Sequence, residues 1–176
     1  MMSSEAVMRI LVARDEAFNF IYRANIDALC QIGEVAYFSP LHDDCLPECD
    51  LLYLPGGYPE LFLEDLGRNK EMCLQIKEYA EQGGRIIAEC GGFMYLCKDI
   101  DGEPMCGVFP FSATMENSRL HLEYREHNGA KGHEFHYSDL REPCDLVNRY
   151  KNVIAGYTHW YWAESGFESL WKRLSN

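Results

Sequence analysis

The sequence predicts an α/β fold with a mostly parallel sheet and helices on both faces, and three observations carry that prediction. Short apolar runs recur along the chain, segments with three- and four-residue apolar spacing separate them, and glycine-rich turns directly follow two of the runs. Strands alternating with helices build βαβ units, which force a parallel sheet. Ligands of such sheets bind at the carboxyl ends of the strands, so the turns Gly56-Gly57 and Gly91-Gly92 are expected to meet at one functional edge.

The elements follow in order. Met8 to Ala13 is a nearly continuous apolar run, as in a strand buried on both faces, and is expected at the centre of the sheet. Phe18, Ile21, Tyr22, Ile26, Leu29 and Cys30 recur at helical spacing and predict an amphipathic helix ending near Gly33. Val35 to Phe38 predicts the second strand, closed by Ser39-Pro40, and Asp50 to Leu54 the third, which stops at Pro55-Gly56-Gly57. Leu61, Leu66, Met72, Ile76 and Tyr79 predict one or two helices, with Gly83-Gly84 as their stop and Arg85 to Ala88 as the next strand. From Met105 to Ser138 the pattern changes to alternating aromatic, polar and small residues, which predicts inserted antiparallel strands. Val153 to Tyr157 reads as the last strand, and Phe167, Leu170 and Trp171 mark a closing helix.

Composition excludes several functions. The chain has 176 residues, the length of one domain with a real core, and residues 1–176 are read as one unit. Its net charge of −12, without any basic cluster, argues against a nucleic-acid partner. No apolar run approaches the roughly 20 residues needed to span a bilayer, and Met1 to Glu5 offer no secretory signal. The cytoplasm is therefore the expected location, with the eight cysteines as reduced thiols. Cys45 and Cys49 lack zinc-ligand spacing and a matching second pair, so no metal is expected.

The run Glu89-Cys90-Gly91-Gly92, between Arg85-Ile86-Ile87-Ala88 and Phe93-Met94-Tyr95-Leu96, has the pattern of a nucleophile elbow. A strand ends on a residue forced into a tight turn, and a helix begins at once with two glycines whose backbone amides can face what the sulfur attacks. The helix N-terminus is expected to lower the Cys90 thiol pKa. A lone Cys-Gly-Gly also fits a buried core cysteine, so other residues must decide. His159, directly after the last predicted strand, is the best-placed base. His42, His121 and His127 are expected to be solvated, and His133 and His136 sit in a dense polar-aromatic segment. An oxyanion hole would take one amide from Gly57 or Tyr58, in the turn that begins at Gly56, and one from Gly91. Glu134 and Tyr58 are weaker candidates for holding substrate.

Five segments then carry a resemblance. Ile10 to Phe20, Leu54-Pro55-Gly56-Gly57-Tyr58-Pro59-Glu60-Leu61, Ala88 to Leu96, Gly132-His133-Glu134-Phe135-His136-Tyr137-Ser138 and Gly156-Tyr157-Thr158-His159 occur in order. Together they closely resemble the glutamine amidotransferase domain of the cobyrinate a,c-diamide synthase family, over nearly the whole chain. The resemblance implies a flavodoxin-like class I glutaminase fold, with Cys90 as nucleophile and His159 as its activator. It implies glutamine as substrate and ammonia delivery to amidate the a and c carboxylates of cobyrinic acid in cobalamin biosynthesis. Related corrinoid or tetrapyrrole amidases, of the cobyric acid synthase or nickel-sirohydrochlorin diamide synthase kind, are alternatives, as is a silent docking module of the same fold. Class I glutaminases usually continue His-Pro-Glu, whereas His159 is followed by Trp160-Tyr161-Trp162-Ala163-Glu164, so a Cys-His dyad is implied and Glu164 is not a third member. The family's ATP and magnesium bind a P-loop domain, and no Gly-x-x-x-x-Gly-Lys-Ser/Thr run occurs here. A synthetase domain or subunit is thus the expected partner, and this chain is expected to hold no cofactor.

Overall fold

A computed structural model describes residues 6–176; the segment from Met1 to Glu5, read above for a signal, lies outside the described residues. The chain runs through β1 (Arg9–Ala13), α1 (Arg23–Cys30), β2 (Glu34–Phe38) and β3 (Leu51–Leu54). A 3-10 turn at Pro59–Leu61 leads to α2 (Leu63–Arg68), α3 (Lys70–Glu81), β4 (Arg85–Glu89) and α4 (Gly91–Leu96). Short strands β5 (Asp99–Ile100), β6 (Glu103–Pro104) and β7 (Ser112–Thr114) precede a long hairpin of β8 (His121–His127) and β9 (Ala130–His136). Then come β10 (Asp139–Leu140), β11 (Asn148–Tyr150), β12 (Val153–Gly156), β13 (His159–Trp160) and α5 (Gly166–Ser175).

Six strands form the main sheet in the order β11-β12-β4-β3-β1-β2, all parallel except β11. The expected central position of β1 is corrected: β3 and β4 hold the middle, and β1 lies one place from the edge strand β2. Its apolar run needs only burial on both faces, which any interior strand has, so it could not report rank. The inserted strands make two further sheets, β10-β7-β5-β6 and β13-β9-β8, rather than joining the parallel one.

Side-chain alternation sorts the core into two layers. Leu11, Leu52, Leu54, Ile86 and Ala88 face one side and pack with Met72 and Ile76 of α3 and Phe93 and Tyr95 of α4. Ile10, Val12, Leu51, Tyr53, Ile87 and Ile154 face the other and pack with Leu29 of α1 and Phe167, Leu170 and Leu174 of α5. Each fully buried aliphatic side chain contributes about 1.5–3 kcal/mol, so both layers stabilise β3 and β4.

The helix expected from Phe18 begins only at Arg23. Asp15 diverts the preceding residues: its Oδ1 accepts the Ala17 and Phe18 amides at 2.9 and 3.1 Å, while Oδ2 accepts Ser39 Oγ at 2.8 Å and the Leu41 amide at 3.0 Å. A carboxylate that takes backbone donors outcompetes the first helical turn. Phe20 then forms an isolated bridge with Gly56, its amide donating to the Gly56 carbonyl at 3.1 Å.

Candidate active site

Cys90 sits where β4 ends and α4 begins, with φ 51° and ψ −109°. This left-handed conformation is strained for a residue with a Cβ and is the geometry of a nucleophile elbow. The turn is held by Cys90 N–H donating to Gly156 O at 2.8 Å and Met94 N–H donating to Cys90 O at 3.0 Å. The glycines that follow are required by close approach: a Cβ on Gly92 would lie 2.1 Å from Leu54 O, and one on Gly91 3.0 Å from Gly57 N. The two glycine turns therefore abut, as expected of adjacent strand ends.

In the other turn, Gly57 has φ 156°, and a Cβ there would lie 2.0 Å from Ala17 O. The Tyr58 amide donates to that same Ala17 carbonyl at 3.0 Å and is thereby engaged, while Gly57 faces Gly91. A Cβ on Gly56 would meet His159 Cε1 at 2.5 Å, so Gly56 is small because the imidazole lies against it. Tyr58 keeps a half-exposed ring at the mouth of the site.

Phe20, Gly57, Tyr58, Cys90, Phe135 and His159 line a cavity of about 20 Å³. That volume holds about one water and no amino acid. A far larger concavity, about 800 Å³, lies beyond β1 and β2 between Arg14, Asp15, Glu16, Tyr37 and His42, with no cysteine in its lining.

The His159 ring packs edge-on against Phe20 at 4.8 Å and stacks on His133 at 5.3 Å. The Cys90 thiol donates to the Phe135 carbonyl, Sγ to O 3.6 Å, rather than to the imidazole. Burial pushes the Cys90 thiol up to about 12, with the Glu60 carboxylate the next cause and Glu89 and Glu134 adding to it, against a lowering bond from Gly91. The expected lowering by the helix N-terminus is therefore corrected: α4 has six residues, and desolvation among carboxylates outweighs its dipole. Burial likewise pulls His159 down to about 3, helped by His133 and His136. Both groups rest neutral at neutral pH.

The remaining histidines separate. His42 is exposed and pairs with Glu16 at 2.8 Å, and His127 is half-exposed near the chain end. His121 departs from the solvated reading: it stacks on buried His136 at 4.7 Å and faces Asp139 at 3.2 Å. Glu134 is bound by Arg125 at 3.1 Å and His136 at 3.4 Å, so its carboxylate is already engaged. Glu164 is exposed, away from the buried His159.

Three residues of the site escaped the sequence reading. Phe20 arrives through the loop that replaces helix, and Phe135 acts through its backbone carbonyl; neither leaves a mark in composition. Glu89 is 1% exposed and accepts Tyr53 Oη at 2.7 Å, the Trp160 amide at 2.8 Å and the Trp162 indole at 3.2 Å. A carboxylate ending an apolar strand was its available signal. Burial raises Glu89 to about 7 against the lowering effect of those donors.

An elbow cysteine, two abutting glycine turns and a histidine in one cleft, on a parallel α/β sheet, define an amidotransferase-like architecture. Solved structures agree at the level of fold: a glutamine amidotransferase with TM-score 0.59 and 20% identity, covering 85% of this chain and 89% of that one. PurLQS from Thermotoga maritima has TM-score 0.61 and 17% identity, covering 88% of each. The family model of the CobB/CobQ-like glutamine amidotransferase domain matches residues 9–167, and the chain belongs to that family. Its relatives include the cobyrinate a,c-diamide synthase of Methanocaldococcus jannaschii, 45% identical over 89% of this chain and 41% of the relative. That of Methanosphaera stadtmanae is 38% identical over 86% of this chain and 40% of the relative. The hydrogenobyrinate a,c-diamide synthase of Pseudomonas aeruginosa is 38% identical over 88% and 41%. The chain thus spans about two fifths of the length of these relatives.

Proposed function

We propose that these 176 residues act as one glutaminase unit whose ammonia serves an ATP-dependent amidation. The observation that carries this reading is the strained elbow at Cys90 sharing a cleft with His159. As Cys90 Sγ attacks the side-chain amide carbon of glutamine, His159 takes the thiol proton and passes it to the departing nitrogen. Ammonia leaves, a glutamyl thioester remains, and water activated by His159 releases glutamate and restores the thiol. Burial keeps His159 neutral at rest, the form that can accept the proton, and the imidazolium then depends on the adjacent thiolate charge to stabilise it. Gly57 and Gly91 would donate to the oxyanion. Glu60 has one buried oxygen without a partner, which suits it to the ammonium of an amino-acid substrate better than Glu134, already paired.

The names and lengths of the relatives support the rest of the reading. Ammonia would pass to a synthetase domain or subunit that binds ATP and magnesium and amidates the a and c carboxylates of cobyrinate or its hydrogen precursor, in the reducing cytoplasm. The test is mass spectrometry after incubation with 6-diazo-5-oxo-norleucine, a glutamine-mimicking electrophile. A single adduct on Cys90, suppressed by glutamine and slowed by orders of magnitude but still measurable in His159→Ala, is expected. Scattered labelling that glutamine does not suppress would overturn the assignment.

A further inference from the structure

We propose that Glu89 is a positioning residue for His159: its carboxylate grips the two residues that flank Tyr161 and thereby holds the imidazole in the Cys90 cleft. The proposal rests on the glutaminase reading and adds a third residue to the working site. Side-chain alternation along β4 sends Cys90 and Ala88 to one layer and Glu89 and Ile87 to the other. Glu89 therefore points away from the thiol, into a layer of Tyr53, Ile154, Trp160 and Trp162.

Its three partners are all donors, two of them on the segment after His159. The Tyr161 amide bonds Lys131 O at 2.9 Å, on the β9 side, so strand alternation turns the Trp160 amide the other way, where Glu89 takes it at 2.8 Å. β13 is thus held on one side by β9 and on the other by a single carboxylate. The His159 ring makes no hydrogen bond to any described residue, so its aim depends on where that backbone lies. Asn25 braces the arrangement by donating to Tyr53 Oη at 3.3 Å.

A carboxyl buried among aromatics costs several kcal/mol unless fully paired, and an apolar residue of equal size commonly serves stability as well or better. With three donors Glu89 is paired and contributes to stability, but stability alone does not require a glutamate here. Precise placement of the base is a sufficient reason, since small displacements of a catalytic group cost orders of magnitude in rate.

The experiment is a double-mutant cycle on the 176-residue chain, reading the rate of Cys90 labelling by 6-diazo-5-oxo-norleucine as a function of reagent concentration. Glu89→Leu is expected to lower the maximal labelling rate by about thirtyfold or more with the half-saturating concentration little changed. Glu89→Gln, which keeps an oxygen for Trp160 and Trp162, should stay within about threefold of the parent. In the His159→Ala background, Glu89→Leu should lose almost nothing further, because two residues that act as one unit are not additive. Alkylation of Cys90 by iodoacetamide, for which solvent hydroxide supplies the thiolate, should not slow in either Glu89 variant. Losses that multiply across the cycle, or a Glu89→Leu chain labelled at the parent rate, would overturn the proposal while leaving the glutaminase reading intact. An unlabelled parent chain would overturn both. Should Glu89→Leu fail to fold, Glu89→Asp replaces it: the shorter carboxylate retreats from Trp160, and a loss of about tenfold, again absent beside His159→Ala, is expected.

Discussion

At Cys90 and His159, burial sets the resting protonation and so the chemistry. A thiol held near 12 has a thiolate fraction that rises about tenfold for each pH unit across the whole neutral range. Alkylation of Cys90 by iodoacetamide, followed by peptide mass spectrometry, is therefore expected to climb from pH 6 to pH 9 without a plateau. A plateau near pH 7 would mean that the helix end prevails over desolvation. Gly56 is the second test at this scale, because a methyl there would overlap His159 Cε1. Gly56→Ala should lower analogue labelling of Cys90 by about a hundredfold while leaving iodoacetamide reactivity nearly unchanged, the loss belonging to a displaced base. At Glu60, neutralisation should raise the glutamine KM more than it lowers kcat, and Glu60→Gln should lose discrimination between glutamine and its desamino analogue.

Among the elements, the loop between β1 and α1 carries Phe20 into the cleft and abuts the Gly57 turn. Asp15 accepts four donors from this loop and from the one after β2, and Ala17 O in turn holds the Tyr58 amide. Asp15→Ala leaves those donors without their acceptor and should cost about 2–4 kcal/mol in denaturant unfolding. It should also raise the glutamine KM, since Phe20 and the Gly57 turn lose their common anchor. An unchanged KM would detach this loop from the site.

For the whole molecule, two buried groups give opposed pH dependences. Glu89 titrates near 7 in the folded chain, above its ordinary value, so its contribution is full at low pH and is lost as pH rises through 7. His159 titrates near 3, below its ordinary value, so its contribution is full above about 6.5 and is lost as pH falls toward 3. Glu89 is worth about 3 and His159 about 5 kcal/mol, each across its window, and between about pH 6.5 and 4.5 their slopes cancel. In the parent chain these two slopes offset each other there, so each variant is read against the parent by chemical denaturation. Glu89→Gln should become less stable on acidification over that window, and His159→Ala more stable. Two flat variants would contradict the opposed titrations. At this scale too, no described helix is long and apolar enough to cross a membrane.

The amino-acid sequence by itself determined the alternation of strands and helices, the two glycine turns at one sheet edge, and Cys90 and His159 as the residues of interest. Those features are local: apolar period, glycine pairs and a residue following a strand are written in consecutive positions. Only the tertiary structure decided that Phe18 to Tyr22 form a loop and not helix, because the Asp15 and Gly56 partners that divert them are distant or side-chain interactions. It also decided that the thiol is raised rather than lowered, that Tyr58 spends its amide on Ala17, and that Glu89 reaches Trp160 across 71 positions. Desolvation and long-range hydrogen bonding depend on what surrounds a group in space, and that surrounding exists only once the two core layers have closed on the sheet.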